Sequence, residues 1–214
     1  MYTVCKNYNS ALNSHMMKND EWGAVAYLSK SKYGKENEEV WINNSSSYIT
    51  GSAGNSASAS QDTGTTTDYT STQGVKASTT GTVYGVYDMS GGTWEYVAGY
   101  VNNGHGNLTR YGSSLVNGEA KTKNMYSKAS TDNETNNYNA NSSKYGDAVY
   151  ETSANGNTSN GSWYGDYSNF PYTLFSFFER GGCCSNVTHA GVFALEKHNG
   201  VSSIVSSRPV LAVL

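Results

Sequence analysis

Residues 177–210 read FFERGGCCSNVTHAGVFALEKHNGVSSIVSSRPV, a stretch that combines a regular frame with irregular contents. Turn glycines and core-type apolar residues recur at spacings that suit short strands joined by turns. Residues 183–189 (CCSNVTH) between them follow neither a strand nor a helix period. Arbitrary side chains on a regular frame are typical of a binding protein. The frame comprises Phe178, Gly181, Gly182, Ala190, Gly191, Phe193, Gly200, Arg208, Pro209 and Val210.

The composition favours recognition by loops and disfavours two classes of partner. Charged residues make up 14% of the 214 residues and the net charge is −3, so the chain lacks the basic character of nucleic-acid-binding proteins. No apolar run approaches the roughly 20 residues of a membrane span. The first residues also lack the charged start and apolar core of a signal peptide. The 18 tyrosines and 23 glycines, together with abundant Asn and Ser, match the residue types of antibody-like recognition loops.

The first half of the chain predicts one helix and one long irregular insert. Residues 10–28 carry apolar residues at helical spacing, and Asn19 to Glu21 could cap a turn within them. Residues 51–81 are almost entirely small and polar, which predicts a long loop or an excursion over the surface. The regions on either side of this insert are too small for independent domains. We therefore expect a single domain spanning residues 1–214.

Short strands are predicted at several places. Residues 93–98 alternate with period two, which predicts a strand with Trp94 buried and Glu95 pointing the other way. Further short strands are predicted at 40–42, 192–195, 202–204 and 209–211. Few prolines, many glycines and short strands together indicate a loop-rich α+β fold with one or two helices.

Three short blocks resemble one known family. Residues 85–96 (GVYDMSGGTWEY) resemble the G-x-x-D-M-x-G-N-x-W-E-W block of formylglycine-generating-enzyme-like proteins, which have a variant of the C-type lectin fold. Residues 180–182 (RGG) and 206–210 (SSRPV) resemble the closing R-G-G and G-F-R-P elements of that family, although Ser207 stands where an aromatic residue is usual. The resemblance covers about residues 82–101 and 176–214. It implies a C-type-lectin-like domain with Trp94, Glu95, Arg180, Gly181, Gly182 and Arg208 as scaffold residues.

Within that superfamily the chain is most similar to the variable proteins of diversity-generating retroelements. In those proteins a C-terminal region is rewritten by reverse transcription that mutates template adenines, often in AAY codons. The resemblance implies a variable region at about 177–208, in which Glu196 and Lys197 are not reachable from AAY and are interpreted as fixed or as products of another codon. The implied ligand-binding positions are Phe177, Cys183, Cys184, Ser185, Asn186, Val187, His189, Leu195, His198, Val201, Ser203, Ile204 and Val205.

The function implied by this resemblance is non-catalytic. A hypervariable C-terminal surface would recognise a protein or glycan on another cell or surface. The parent would be a phage or a bacterium, and the protein would be extracellular, on a cell surface or on a virion. We expect no nucleic-acid partner, no membrane span and no cofactor, and leave structural calcium and oligomerisation open.

The cysteines, histidines and prolines of the chain bear on two other classes of function, an oxidase and a calcium-dependent lectin. A formylglycine-generating-type oxidase needs two thiolates that converge on copper, whereas Cys183 and Cys184 are adjacent and Cys5 is distant in sequence. A disulfide between neighbouring cysteines would be strained, and the four histidines show no ligand-like spacing. A calcium-dependent sugar-binding lectin would carry a Glu-Pro-Asn or Gln-Pro-Asp triplet, which is absent. The oxidase and a structural subunit of a virion or appendage remain the alternatives.

Overall fold

A computed structural model describes residues 1–62, 67–156, 161–201 and 204–212. These residues form a mixed α/β structure with a mostly antiparallel sheet, which confirms the α+β class at this coarse level. No helix within the described ranges is both long enough and apolar enough to cross a membrane. The helices are α1 (Tyr2–Lys6), α2 (Asn19–Ser29), α3 (Gly106–Arg110), α4 (Ser113–Val116) and α5 (Glu134–Asn141). The strands are β1 (His15–Met16), β2 (Glu95–Asn102), β3 (Asn124–Ser127), β4 (Asn155–Gly156), β5 (Ser168–Asn169), β6 (Phe177–Gly181), β7 (Gly191–His198) and β8 (Pro209–Val210).

The central sheet has the strand order β3-β2-β6-β7-β5-β4. Its middle strands β2, β6 and β7 pair antiparallel, whereas β3 joins β2 and β5 joins β7 in parallel. A separate antiparallel pair links β1 to β8, with His15 opposite Val210 and Met16 opposite Pro209. This pair brings the residues that precede α2 against the last described strand.

Helix α2 anchors the sheet on one side. It begins after Lys18, whose backbone N–H donates to the Glu21 carboxylate at 2.9 Å, and acidic residues in a first turn interact favourably with the helix dipole. Trp22 and Ala26 lie one turn apart and are fully buried. The Trp22 Nε1 also donates to a main-chain carbonyl of β7 at 2.8 Å. The helix therefore places the Trp22 ring in the core, where the indole N–H also has a hydrogen-bond partner.

Both faces of the central sheet are covered, because consecutive residues of a strand point to opposite sides. Phe178 of β6 lies in the larger core cluster with Trp22, and Phe177 lies in a second cluster on the other face. Each large apolar side chain that is fully buried contributes roughly 1.5–3 kcal/mol. The larger cluster includes Tyr126, Phe170, Phe193 and Leu195, and the second includes Tyr2, Leu108 and Leu115 from α1, α3 and α4.

The predicted helix at residues 10–28 is confirmed only for the part that forms α2. The preceding residues form a 3-10 turn, Ser10–Leu12, and then β1. Asn13 follows the turn with a φ of 48°, a left-handed conformation that a right-handed helix does not continue through. The apolar spacing of this stretch therefore spans two elements.

The polar insert at 51–81 is largely irregular, as predicted, and contains a 3-10 turn at Gly74–Ala77. It does not lie only on the surface, because several of its small side chains are buried. The predicted strand at 40–42 is wrong: the Ile42 N–H donates to Ala57 at 3.1 Å, within the insert, instead of joining a sheet. The buried insert residues include Ala53, Ala59 and Ala77.

The C-terminal strands are confirmed in part. Residues 192–195 lie within β7, and β8 contains the first two of residues 209–211. For the predicted strand at 202–204, Ser202 and Ser203 lie outside the described residues, and Ile204 is not in a strand.

Glu95 and Arg208 form a bidentate ion pair that joins β2 to the residue before β8. The Arg208 Nε donates to Glu95 Oε2 at 2.7 Å, and its Nη2 donates to Oε1. The guanidinium also donates to the main-chain carbonyls of Tyr87 at 3.1 Å and Asp88 at 3.3 Å. Burial alone would lower the pKa of Arg208, but the Glu95 carboxylate raises it above its usual value. Burial raises the pKa of Glu95, and the Arg208 guanidinium opposes that shift.

This ion pair corrects the predicted orientation of the strand at 93–98. Trp94 was expected to be buried with Glu95 on the opposite side. Glu95 is instead 6% exposed, while Trp94 is only half-buried and packs edge-on against Tyr167 with ring centroids 6.1 Å apart. Period-two alternation places the two residues on opposite faces but cannot show which face is buried. Because Arg208 binds the Glu95 carboxylate, the face of β2 that carries Glu95 is the buried one.

We predict that Arg208→Ala destabilises the fold by about 3–5 kcal/mol, because it leaves the Glu95 carboxylate buried without its partner. The matched control is Lys6→Ala, which removes an exposed ion pair with Glu119 and is expected to cost less than about 1 kcal/mol. Urea unfolding of both variants measures the difference. Equal losses in the two variants would contradict the structural role of the buried pair.

Candidate functional site

The loop between β6 and β7, residues 182–190, is held mainly by its backbone. The Cys184 N–H donates to the Gly92 carbonyl at 2.8 Å, and the Tyr167 N–H donates to the His189 carbonyl at 2.9 Å. Gly182 has a φ of 77°, and a Cβ added there would lie 2.6 Å from the Ala190 Cα, so this turn requires glycine. These contacts do not involve the side chains of residues 185, 187 or 188. The Asn186 Oδ1 also accepts a hydrogen bond from the Cys183 N–H at 2.7 Å, so the loop uses that side chain internally, whereas its attachment to the rest of the fold is through the backbone.

The segment before Arg208 is held in the same way. The Ser206 N–H donates to the Trp94 carbonyl at 3.0 Å, and the Tyr96 N–H donates to the Ser206 carbonyl at 2.9 Å. Gly92 fixes the 182–190 loop and Trp94 fixes this segment. Since these two residues are two positions apart, both segments come together at the start of β2.

The structure separates the predicted ligand-binding positions by their exposure. Val201 is 53% exposed and Ile204 is 64% exposed, and Ser185 is exposed as well. Ser203 lies outside the described residues. The half-buried positions are Cys183, Asn186, Val187, His189, His198 and Val205. We call the exposed and half-buried positions of the 182–190 loop, together with Val201, Ile204 and Val205, the C-terminal surface.

Three predicted positions lie inside the protein and do not belong to the C-terminal surface. Leu195 is fully buried in the larger core cluster, because it pairs with Arg180 of β6 and points towards α2. Phe177 is 5% exposed within the second cluster, and Cys184 is 3% exposed. We correct the predicted contact role of these three side chains accordingly, since a ligand at the surface does not reach them.

The scaffold residue Arg180 is fully buried beside an acidic group. Its Nη2 donates to the Ala148 carbonyl at 3.2 Å, and burial lowers its pKa to about 10. Burial raises the pKa of Asp166 to about 7, although its carboxylate accepts a hydrogen bond from the Phe193 N–H at 3.0 Å. A Cβ at Gly191 would lie 2.1 Å from this carboxylate, so glycine is required there.

The thiols do not form a metal centre in the described part of the chain. Cys5, Cys183 and Cys184 are free, and the Cys184 Sγ accepts a hydrogen bond from Gln61 at 3.1 Å. No group of three His, Cys, Asp or Glu side chains among the described residues is arranged to hold a metal ion.

A row of titratable side chains crosses β2, β6 and β7, and the sequence alone did not indicate it. Tyr96 lies opposite Glu179, which lies opposite Glu196, and the Tyr96 hydroxyl is hydrogen-bonded to His198 Nδ1. The Gly200 N–H donates to the same nitrogen at 3.1 Å, so Nδ1 is an acceptor and the imidazole is neutral. Burial also lowers the pKa of His198. The alternation of β6 and β7 could have predicted that Glu179 and Glu196 lie on the same face of the sheet. It could not have predicted that they pair with each other, because that depends on the register between the two strands.

Glu179 is a deeply buried member of this row, and its pKa is strongly raised. It is 2% exposed, and burial, reinforced by the nearby Glu196 carboxylate, raises its pKa to about 8. At neutral pH its carboxyl group is therefore mostly protonated, which avoids an uncompensated charge in the sheet.

We predict that Glu179 makes the protein less stable above neutral pH. Its pKa is higher in the folded state than the usual glutamate value of 4.5, so its contribution to the free energy of unfolding falls as the pH rises towards about 8. In the Glu179→Gln variant the free energy of unfolding should no longer fall between about pH 7 and about pH 8. Glu119→Gln is the control and should retain the fall, because the Glu119 carboxyl is exposed and its hydrogen bond with Lys6 lowers its pKa. Urea unfolding across this range checks both, and an unchanged slope in Glu179→Gln would refute the assignment.

Comparisons with known proteins do not assign this chain to a family. No family model matches it, and no curated protein matches it significantly.

Proposed function

We propose that this protein is a ligand-binding protein of the C-type-lectin-like class whose C-terminal surface is diversified by a retroelement. Its ligand would be a protein or glycan on another cell or surface, and the protein would act outside the cell or on a virion. The observation that carries the proposal is the backbone attachment of the C-terminal surface. Main-chain hydrogen bonds at Gly92, Trp94 and Tyr96 hold Cys184 of the loop and Ser206 beside Val205, and these bonds do not depend on the exposed side chains.

The composition of the C-terminal surface supports binding and not catalysis. Val201 and Ile204 are exposed apolar side chains, and the burial of apolar surface is the main favourable contribution to most protein association. Ser185 and Asn186 add polar groups at the neighbouring loop. A rigid frame that presents apolar and polar side chains reduces the entropy lost on binding.

The neighbouring DNA provides the direct test of diversification. We expect a near-copy of the codons for residues 177–208 that differs only where the copy has adenine, together with a gene for a reverse transcriptase. A genome with neither would refute diversification while leaving the structure of the C-terminal surface unaffected.

We also predict that positions of the C-terminal surface tolerate substitution. Ser185→Tyr and Val201→Tyr should each change the free energy of unfolding by less than about 0.5 kcal/mol, since both side chains are exposed. Leu195→Ala, at a buried position of the same region, should cost about 2–5 kcal/mol because it leaves a cavity in the core. Chemical unfolding compares the three variants. If the Ser185 or Val201 variant lost as much free energy of unfolding as the Leu195 variant, the surface positions would not be independent of the structural frame, and the prediction would be contradicted.

A further inference from the structure

Lys197, near the end of β7, places its amine between an amide and a carboxylate. The Lys197 Nζ donates to Asn169 Oδ1 at 2.8 Å and to Glu134 Oε1 at 2.7 Å. The three residues come from different elements, since Asn169 ends β5 and Glu134 begins α5. The tertiary fold therefore brings together a nucleophilic amine, an acyl group and a proton acceptor in direct contact.

The three groups are largely shielded from water. Asn169 is 9% exposed, and the side chains of Lys197 and Glu134 are 13% and 20% exposed. The Lys197 Nζ also lies 4.5 Å from the centroid of the Tyr172 ring and 5.5 Å from that of Phe175. Because little water reaches the site, a proton that leaves the amine passes to the Glu134 carboxylate, and hydrolysis competes little with attack by the amine.

The Asn169 amide is fixed in orientation by its neighbours. A lysine amine in its charged form only donates, so the atom that it contacts is the amide oxygen. The amide nitrogen points the other way and donates to the Tyr167 hydroxyl at 3.2 Å. Since the Cγ is bonded to the contacted oxygen at about 1.23 Å, a small rotation of the Lys197 side chain brings Nζ to the carbon. Such positioning accelerates reactions between groups of one molecule.

We propose that Lys197 and Asn169 form an isopeptide bond, with Glu134 as the catalytic proton acceptor. The Lys197 ammonium transfers a proton to the Glu134 carboxylate, and the neutral amine attacks the Asn169 Cγ. The new bond between Nζ and Cγ replaces the bond between Cγ and Nδ2. The proton on Glu134 and one from the attacking nitrogen go to Nδ2, which leaves as ammonium, and Glu134 is again a carboxylate. The reaction needs no oxidant and no further reactant.

The bond would fasten a short contact of the sheet. Strand β5 joins β7 through one pair of residues, Ser168 opposite Leu195, and the crosslink lies next to it. A covalent link between residues 169 and 197 restricts the unfolded chain as a disulfide does. The crosslink does not depend on whether the C-terminal surface is diversified, so the two proposals can fail separately.

Mass spectrometry of the purified full chain tests the bond. We expect an intact mass below the sequence mass by one ammonia molecule. We also expect trypsin to leave the chain uncleaved after Lys197 and to yield a branched peptide that joins Lys197 to Asn169. Separate linear peptides with unmodified Lys197 and Asn169 would overturn the proposal. A loss of ammonia without the branched peptide would also overturn it, because cyclisation at an Asn-Gly pair such as Asn199-Gly200 releases ammonia as well.

Two glutamine variants identify the proton acceptor. Glu134→Gln keeps the shape of the side chain but removes its basic carboxylate, so the yield of the branched peptide should fall at least about tenfold. Glu196→Gln is the matched control and should retain the bond, because the Glu196 carboxylate accepts from the main-chain N–H of Lys197 at 3.0 Å. Thermal melting confirms that both variants are folded. Equal yields in the two variants would refute the role of Glu134.

Discussion

The buried ion pair between Glu95 and Arg208 is the interaction on which the arrangement of the C-terminal half depends. It joins the first residue of β2 to the residue before β8, which lie far apart in sequence. The same guanidinium holds the carbonyls of residues 87 and 88, and the Asp88 carboxylate in turn accepts hydrogen bonds from Asn43 and Gly51. One arginine therefore connects the sheet, the glycine turn before it and the polar insert. Removal of either charge would leave the other buried and unpaired.

Next to this pair, the backbone of β2 and of the turn before it holds the two segments of the C-terminal surface. Hydrogen bonds between main-chain groups do not depend on side-chain identity, so the attachment of Cys184 and Ser206 to Gly92, Trp94 and Tyr96 does not depend on the neighbouring surface side chains. The side chains that the fold does constrain lie beneath the surface. Leu195 is such a residue, because it fills the core between β7 and α2. This division between frame and surface is the physical basis of the binding function that we propose.

The face of the sheet opposite α2 contains two environments side by side. A cleft at the α1 and α4 end is lined by aromatic, apolar and small polar residues. The row of Tyr96, Glu179 and Glu196 lies on the adjoining part, where burial keeps Glu179 largely protonated at neutral pH. Tyr96 belongs to both, since its ring lines the cleft and its hydroxyl bonds His198. A change in the protonation of the row therefore acts close to the cleft wall.

Local patterns in the sequence determined the features that depend on neighbouring residues. The alternation at 93–98 located β2, the capping signal at 19–21 marked the start of α2, and the glycines at 181–182 located the turn after β6, because each pattern reflects the geometry of a single element. Only the tertiary structure decided that Glu95 is buried in preference to Trp94 and that Leu195 lies in the core. It also created the cleft, whose walls come from Tyr2, Tyr96 and Phe177. These features depend on contacts between residues that are distant in sequence, and local periodicity contains no information about which distant partner a side chain meets.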